Sequence, residues 1–272
     1  SQSVFTVHEK QPNGTIQDVS VASCGPWGSI KIDEEFAQLI IKIFGAITFK
    51  ALYNNCRADY LDIIRDLDVK KRYISSDSNN RISIRIPRAL ERIYNENTGE
   101  RVQDAVEQSP FRGKIQLSID RMRFDAELFR SLFKNYISSI TNHIENICEK
   151  AEVKGTSTFL MIGKLSECPL VQESVIQAFP KAKVVIPKET YLAVLKGAVI
   201  LGHKIGLTCD YNFQLQEPTN KDHSAVATTF GDLHDEGEDA LSSDFVEMNI
   251  QTQDKRNQGL KTQLKDQKTL KA

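Results

Sequence analysis

Three short groups of residues carry the chemistry this sequence can offer. Asp68, Lys71 and Ser75 follow one another at spacings of three and four. On a helix that spacing puts Asp68 and Lys71 on one face, with Ser75 a turn farther along. By itself the pair reads as a solvated surface ion pair, which adds little stability. The second group is Gly163-Lys164-Leu165-Ser166-Glu167-Cys168, a polar loop between an apolar run and a proline-led helix. A loop that leads from a strand into a helix N-terminus suits phosphate or another anion, and an ordinary strand-to-helix turn has the same spacing. The third group is Ser23-Cys24-Gly25-Pro26-Trp27-Gly28-Ser29. Its glycines and proline make a tight turn, which either packs the tryptophan or presents backbone N–H groups to a phosphate. His223, Asp232 and His234 also cluster, but in an acidic polar stretch where a solvated run is expected rather than a metal site.

The elements that must position these groups are legible as periodicities. Residues 158–162 and 184–186 are short apolar runs stopped by Gly163 and Pro187, the pattern of buried strands. Pro169 suits the first turn of a helix whose apolar face is Leu170, Val171, Val175, Ile176 and Phe179. Thr190 is placed to cap a further helix that runs to His203. The order is strand, loop, helix, strand, helix, in which ligands sit beyond the strand ends. Upstream, residues 4–8 and 15–22 read as strands joined through Asn13-Gly14, a strong hairpin signal. Residues 33–53 read as one long helix, with Phe36, Leu39, Ile40, Ile43, Phe44 and Ile47 on one face and Asp33, Glu34 and Glu35 in its first turn. A second helix is expected over 58–74 and a strand over 81–86. A helix to about 95, an alternating strand through Ile115, Leu117 and Ile119, and a long helix over 124–150 follow. His143 lies beside the apolar face of that last helix and reads as a satisfied histidine.

Composition bounds the rest. The chain has 272 residues, 40% hydrophobic and 26% charged, with a formal net charge of −1. That is enough for one sizeable core, and a near-neutral balance gives no support for nucleic-acid binding. The five cysteines show no Cys-x-x-Cys spacing, so neither zinc nor a disulfide framework is expected, and a reducing, cytoplasmic setting is the default. No run reaches the roughly 18 apolar residues of a membrane span. Residues 208–272 are rich in polar and charged types and are expected to form a disordered tail.

Met161-Ile162-Gly163-Lys164-Leu165-Ser166-Glu167-Cys168-Pro169-Leu170 resembles the adenosine loop of the actin and heat shock 70 kDa ATPase superfamily. Lys196-Gly197-Ala198-Val199 resembles its closing helix. The closer likeness is to the heat shock 70 kDa protein 12 subfamily, whose Gly-Gly-Pro-Trp-Gly-Ser is similar to the Gly25–Gly28 turn. The resemblance runs from about Val4 to about Gly206 and covers the second half of such a nucleotide-binding domain. It implies an α/β fold: a ribonuclease-H-like second lobe over 1–207, with an inserted helical subdomain at 33–112. It also implies a site for ATP or ADP, with magnesium in the complete family site. Asp68, Lys71 and Ser75 match the family's Glu-x-x-Lys-x-x-x-Ser, which holds the adenine and ribose. Gly163, Lys164 and Ser166 would face them from the adenosine loop, and Gly25 and Gly28 would approach the phosphates.

The departures from the family pattern are specific. Asp68 is one methylene shorter than the usual Glu. Cys24 and Lys164 each replace a glycine, and the Lys164 side chain would either crowd the ribose or meet a phosphate. The place of the second phosphate loop holds only Ser1-Gln2-Ser3-Val4. Phosphoryl transfer is mostly positioning and charge neutralisation. The expectation is therefore a nucleotide-binding lobe of a chaperone-related protein without ATPase activity of its own. The competing expectation is a non-enzymatic pseudo-ATPase that binds protein partners or clients.

Overall fold

The computed structural model describes residues 3–25, 28–150, 153 and 155–206. The stretch 208–272 lies outside them, as do Pro26 and Trp27 of the glycine-rich turn and the His223, Asp232 and His234 group.

The chain opens with an antiparallel hairpin, β1 (Ser3–Lys10) and β2 (Ile16–Gly25), registered from Ser3 opposite Gly25 to Lys10 opposite Ile16. Its turn is the one the sequence announces. Gly14 takes φ 85°, and Asn13 Oδ1 accepts from the Thr15 N–H at 3.0 Å. The expected helix over 33–53 is two helices, α1 (Ile30–Phe44) and α2 (Ala46–Asn55), bent by 120°. The break is Gly45, at φ 83° and ψ 154°, a conformation reached readily only by glycine. The apolar stripe does its expected work up to Phe44, which is buried, whereas Ile47 lies beyond the bend at 71% exposure.

Helix α3 (Arg57–Lys71) follows and ends three residues before the expected boundary. Three short strands, β3 (Ile82–Arg85), β4 (Ile115–Ser118) and β5 (Arg121–Phe124), form an antiparallel sheet in the order β3-β5-β4. Between β3 and β4 lie α4 (Arg88–Thr98) and α5 (Val102–Gln108). Ile119, expected on a strand, sits in the β4–β5 turn and is 93% exposed. The expected helix over 124–150 starts later and is divided. Phe124 ends β5, Asp125 caps α6 (Ala126–Ser131) by accepting from the Glu127 N–H at 2.9 Å, and α7 (Lys134–Cys148) follows. Helix α7 packs on α1 and on the helix that begins at Pro169, and its His143 meets Phe5 and Ser23 of the β1–β2 hairpin.

The last described unit is β6 (Thr158–Leu160), a 3-10 turn at Lys164–Glu167, α8 (Pro169–Ala178), β7 (Lys183–Val185) and α9 (Ala193–Gly206). β6 and β7 are parallel with α8 as the crossover, which is the order read from the sequence. The fold is thus α/β. Its described strands fall into three small sheets. One apolar core runs from Ile32 through Phe124, Phe129 and Phe133 to Val171 and Val175. No single helix among the described residues is long and apolar enough to cross a membrane.

Candidate functional site

Helix α3 carries its apolar residues Tyr60, Ile64 and Leu67 into the core, and Lys71 continues the same face. Lys71 is therefore 1% exposed, which corrects the reading of a solvated ion pair. A buried ammonium must be paired to persist, and it is paired twice. Its Nζ lies 2.6 Å from Asp33 Oδ1 and 2.6 Å from Asp68 Oδ1. Asp33, one of three acidic residues expected in the first turn of its helix, is itself buried. Burial pushes its carboxyl from the ordinary 3.8 up to about 6, against the opposing pull of Lys71. Asp68 is the open member, with its side chain 53% exposed.

Ser75 lies beyond the end of α3 in a turn of its own. Its hydroxyl donates to Asp77 Oδ1 at 2.6 Å and lies 2.7 Å from Ser78 Oγ. It thus leaves the helical face that its spacing from Lys71 implied.

The 163–168 loop is held from two sides. Gly163 takes φ 101° and ψ 169°, and space is open where a Cβ would stand. Its N–H donates to Thr190 O at 3.1 Å, and Thr190 Oγ1 donates back to Gly163 O at 2.8 Å. Thr190 is thus a clasp on the loop rather than the helix cap expected of it. Ser166 Oγ donates to Ile162 O at 2.8 Å, so its hydroxyl braces the same turn. Lys164 is exposed and makes no ion pair among the described residues. Cys168 is fully buried, and burial pushes its thiol up to about 11, which removes it as a nucleophile.

The fold brings these two groups together. The segment after α3 lies against the start of α8: the Leu170 N–H donates to Ile74 O at 3.0 Å and the Ser76 N–H to Glu173 Oε2 at 2.9 Å. Arg72 Nη1 reaches Glu167 Oε2 at 3.7 Å, so a half-exposed ion pair bridges the two groups. Arg72 and Glu167 were not among the residues singled out from sequence; a charged residue inside each motif was the available signal. The third group is placed only in part. Gly25 ends β2, and Gly28 is buried just before α1, whose fourth residue is Asp33. The Asp33–Lys71 pair therefore joins the helix leaving the glycine-rich turn to the helix carrying Asp68. His143 is satisfied, as read: its Nε2 lies 3.0 Å from Ser23 Oγ and its ring meets Phe5 edge-on.

This arrangement offers one exposed carboxylate, a glycine in a backbone conformation that side-chain-bearing residues rarely adopt, set in a strand-to-helix loop, and an adjacent guanidinium–carboxylate pair. Such groups can hydrogen-bond hydroxyls and a polar heterocycle. Among the described residues no cluster of three His, Cys, Asp or Glu could hold a metal ion.

The chain is 31% identical over 200 residues to heat shock 70 kDa protein 12A of Mus musculus, covering 73% of this chain and 30% of that protein. It is 30% identical to heat shock 70 kDa protein 12A of Homo sapiens over 200 residues, with the same coverage. Against heat shock 70 kDa protein 12B of Homo sapiens it is 29% identical over 206 residues, 75% of this chain and 30% of that protein. The chain thus spans 30% of the length of the curated relatives it matches. No family model matches it, and no solved structure matches it significantly. The matched stretch is related to the heat shock 70 kDa protein 12 subfamily.

Proposed function

We propose, with that kinship as premise, that this chain supplies one wall of an adenine-nucleotide cleft. It is the second lobe of an actin and heat-shock-70-type domain with a ribonuclease-H-like core. The observation that carries the reading is the junction of the Arg72–Ser76 segment with the Gly163–Glu173 segment, the two stretches that resemble the family's adenosine-holding motifs.

The residues present fit adenosine better than they fit metal-bound phosphates. Asp68 is exposed enough to accept from a ribose hydroxyl, and Gly163 leaves open space beside the loop. Lys71 contributes by holding Asp68, since its ammonium is buried between two carboxylates. Lys164 is the exposed cation nearest in sequence to Gly163 and would meet a phosphate. ATP or ADP is the cofactor, with magnesium belonging to the complete family site, and no hydrolytic step is assigned to these residues. The cytoplasm is the compartment this reading expects.

A second reading rests on a separate observation. Val194, Leu195, Val199, Ile200 and Leu201 of α9 are all at least 45% exposed. An apolar surface of that kind is a docking face for protein, as expected for a non-enzymatic interaction protein. The two are separated by NMR titration of the labelled chain with adenosine, ADP and guanosine. Adenosine-specific shifts at Asp68 and Gly163, at a Kd on the order of 0.1–1 mM, support the cleft. Shifts that are absent, or that map to α7, sink it.

A further inference from the structure

Asp33 lies on a different helix from the exposed Asp68, yet both grip the same buried ammonium. Lys71 is 1% exposed, so its ammonium has little access to a ligand and its two short contacts fix where it sits. The Asp68 carboxylate divides its attention: one oxygen meets Lys71, and the half-exposed remainder faces solvent. How strongly Lys71 draws Asp68 inward depends on how much of its charge Asp33 already neutralises.

We infer that Asp33 is a positioning residue of the nucleotide site, acting through Lys71 to keep the Asp68 carboxylate available to a ribose hydroxyl. The inference rests on the adenine-nucleotide reading above. With Asp33 ionised, two carboxylates share one ammonium, and Asp68 keeps acceptor capacity for a ligand. With Asp33 neutral, the whole ammonium charge falls on Asp68, which is held tighter and accepts less readily from the ribose. Affinity for adenosine therefore falls as Asp33 takes up a proton.

Among the described residues the groups facing Asp33 are few. From α3 come Lys71, Asp68 and the Tyr60 phenol, whose own ionisation the Asp33 charge opposes. Neighbouring charges on α1 are engaged elsewhere: Lys31 pairs with Glu34 at 2.9 Å, and Glu35 accepts from Asn135 of α7 at 2.5 Å. His8 and His143 are tied to Asp18 and Ser23.

The test is the adenosine titration of the full chain repeated from pH 5 to pH 7.5, on wild type and on Asp33→Asn. Wild type should bind about tenfold more tightly at the upper end, the scale of one charge-assisted hydrogen bond. Asp33→Asn should bind at the weak low-pH level throughout, with no inflection. A merely structural Asp33 would lower the folded fraction but would not produce an inflection in the affinity of the folded protein. Should Asp33→Asn fail to fold, the wild-type profile decides alone: a flat profile overturns the inference while leaving the nucleotide reading standing. An inflection that persists in a folded Asp33→Asn protein also overturns it. Absence of any adenosine shift in wild type overturns the nucleotide reading, and the inference with it.

Discussion

Replacing Lys71 by methionine should be among the most damaging single substitutions in this chain. The Lys71 side chain is 2% exposed and the Asp33 side chain 7%. Lys71→Met keeps the stem's volume but leaves Asp33 buried with no counter-charge. Breaking a buried pair from one side costs about 3–5 kcal/mol, a large part of the roughly 5–15 kcal/mol that holds a domain together. Asp33→Asn should cost less, about 1–3 kcal/mol, because Lys71 keeps Asp68. The double variant buries no charge at this point and should be more stable than Lys71→Met alone, which gives a coupling well outside additivity. The pH dependence has a definite sign. Asp33 has a folded pKa of about 6 against an ordinary 3.8, so the folded protein binds the extra proton between them. Its contribution to stability is fully present below about pH 4 and is lost as pH rises through about 6. At about 1.4 kcal/mol per unit the swing is about 3 kcal/mol. The assay is urea unfolding of wild type, both single variants and the double variant between pH 4 and 7.5. The stability difference between wild type and Asp33→Asn should change across that window. A difference that stays flat, or a Lys71→Met variant within about 1 kcal/mol of wild type at pH 7.5, would refute the burial argument.

The purified chain should release no phosphate from magnesium–ATP above buffer; turnover that survives repurification and is lost on Asp68→Ala would contradict this. Gly163→Ala should cost about 1–3 kcal/mol despite the open space, because φ 101° with ψ 169° belongs to glycine. Urea midpoints would check it, and an unchanged midpoint would mean that the loop relaxes freely. The Tyr60 hydroxyl is buried without a hydrogen-bond partner among the described residues. Tyr60→Phe should therefore be neutral or stabilising by up to about 1 kcal/mol, and a loss of that size in thermal unfolding would reveal a partner.

Some of this molecule is written in local sequence. Asn13-Gly14 fixes the hairpin because its turn needs positive φ. The apolar runs flanking Gly163 and Pro169 fix the strand–turn–helix order, since each is bounded by its own stop signal. The helical character of 33–53 and 124–150 follows from apolar periodicity, and the curated relatives agree with the kinship read from the 161–170 motif.

What local pattern could not decide are the breaks and the pairings. Gly45 interrupts an otherwise continuous stripe, and one glycine costs a helix only about 1 kcal/mol, too little to announce a 120° bend. The bend is set by how α1 and α2 pack around the shared core. In the sequence Asp33 is one of three acidic residues in a helix's first turn, and Lys71 is half of a surface pair. Only the approach of α1 to α3 buries both and turns them into a 2.6 Å contact between residues 38 apart. The meeting of Ser76 with Glu173, 97 residues apart, is likewise a product of α8 packing beside the end of α3. Helical periodicity tells which residues share a face. Which face meets which is a contest between whole elements for the same core, and that contest is settled only in the folded chain.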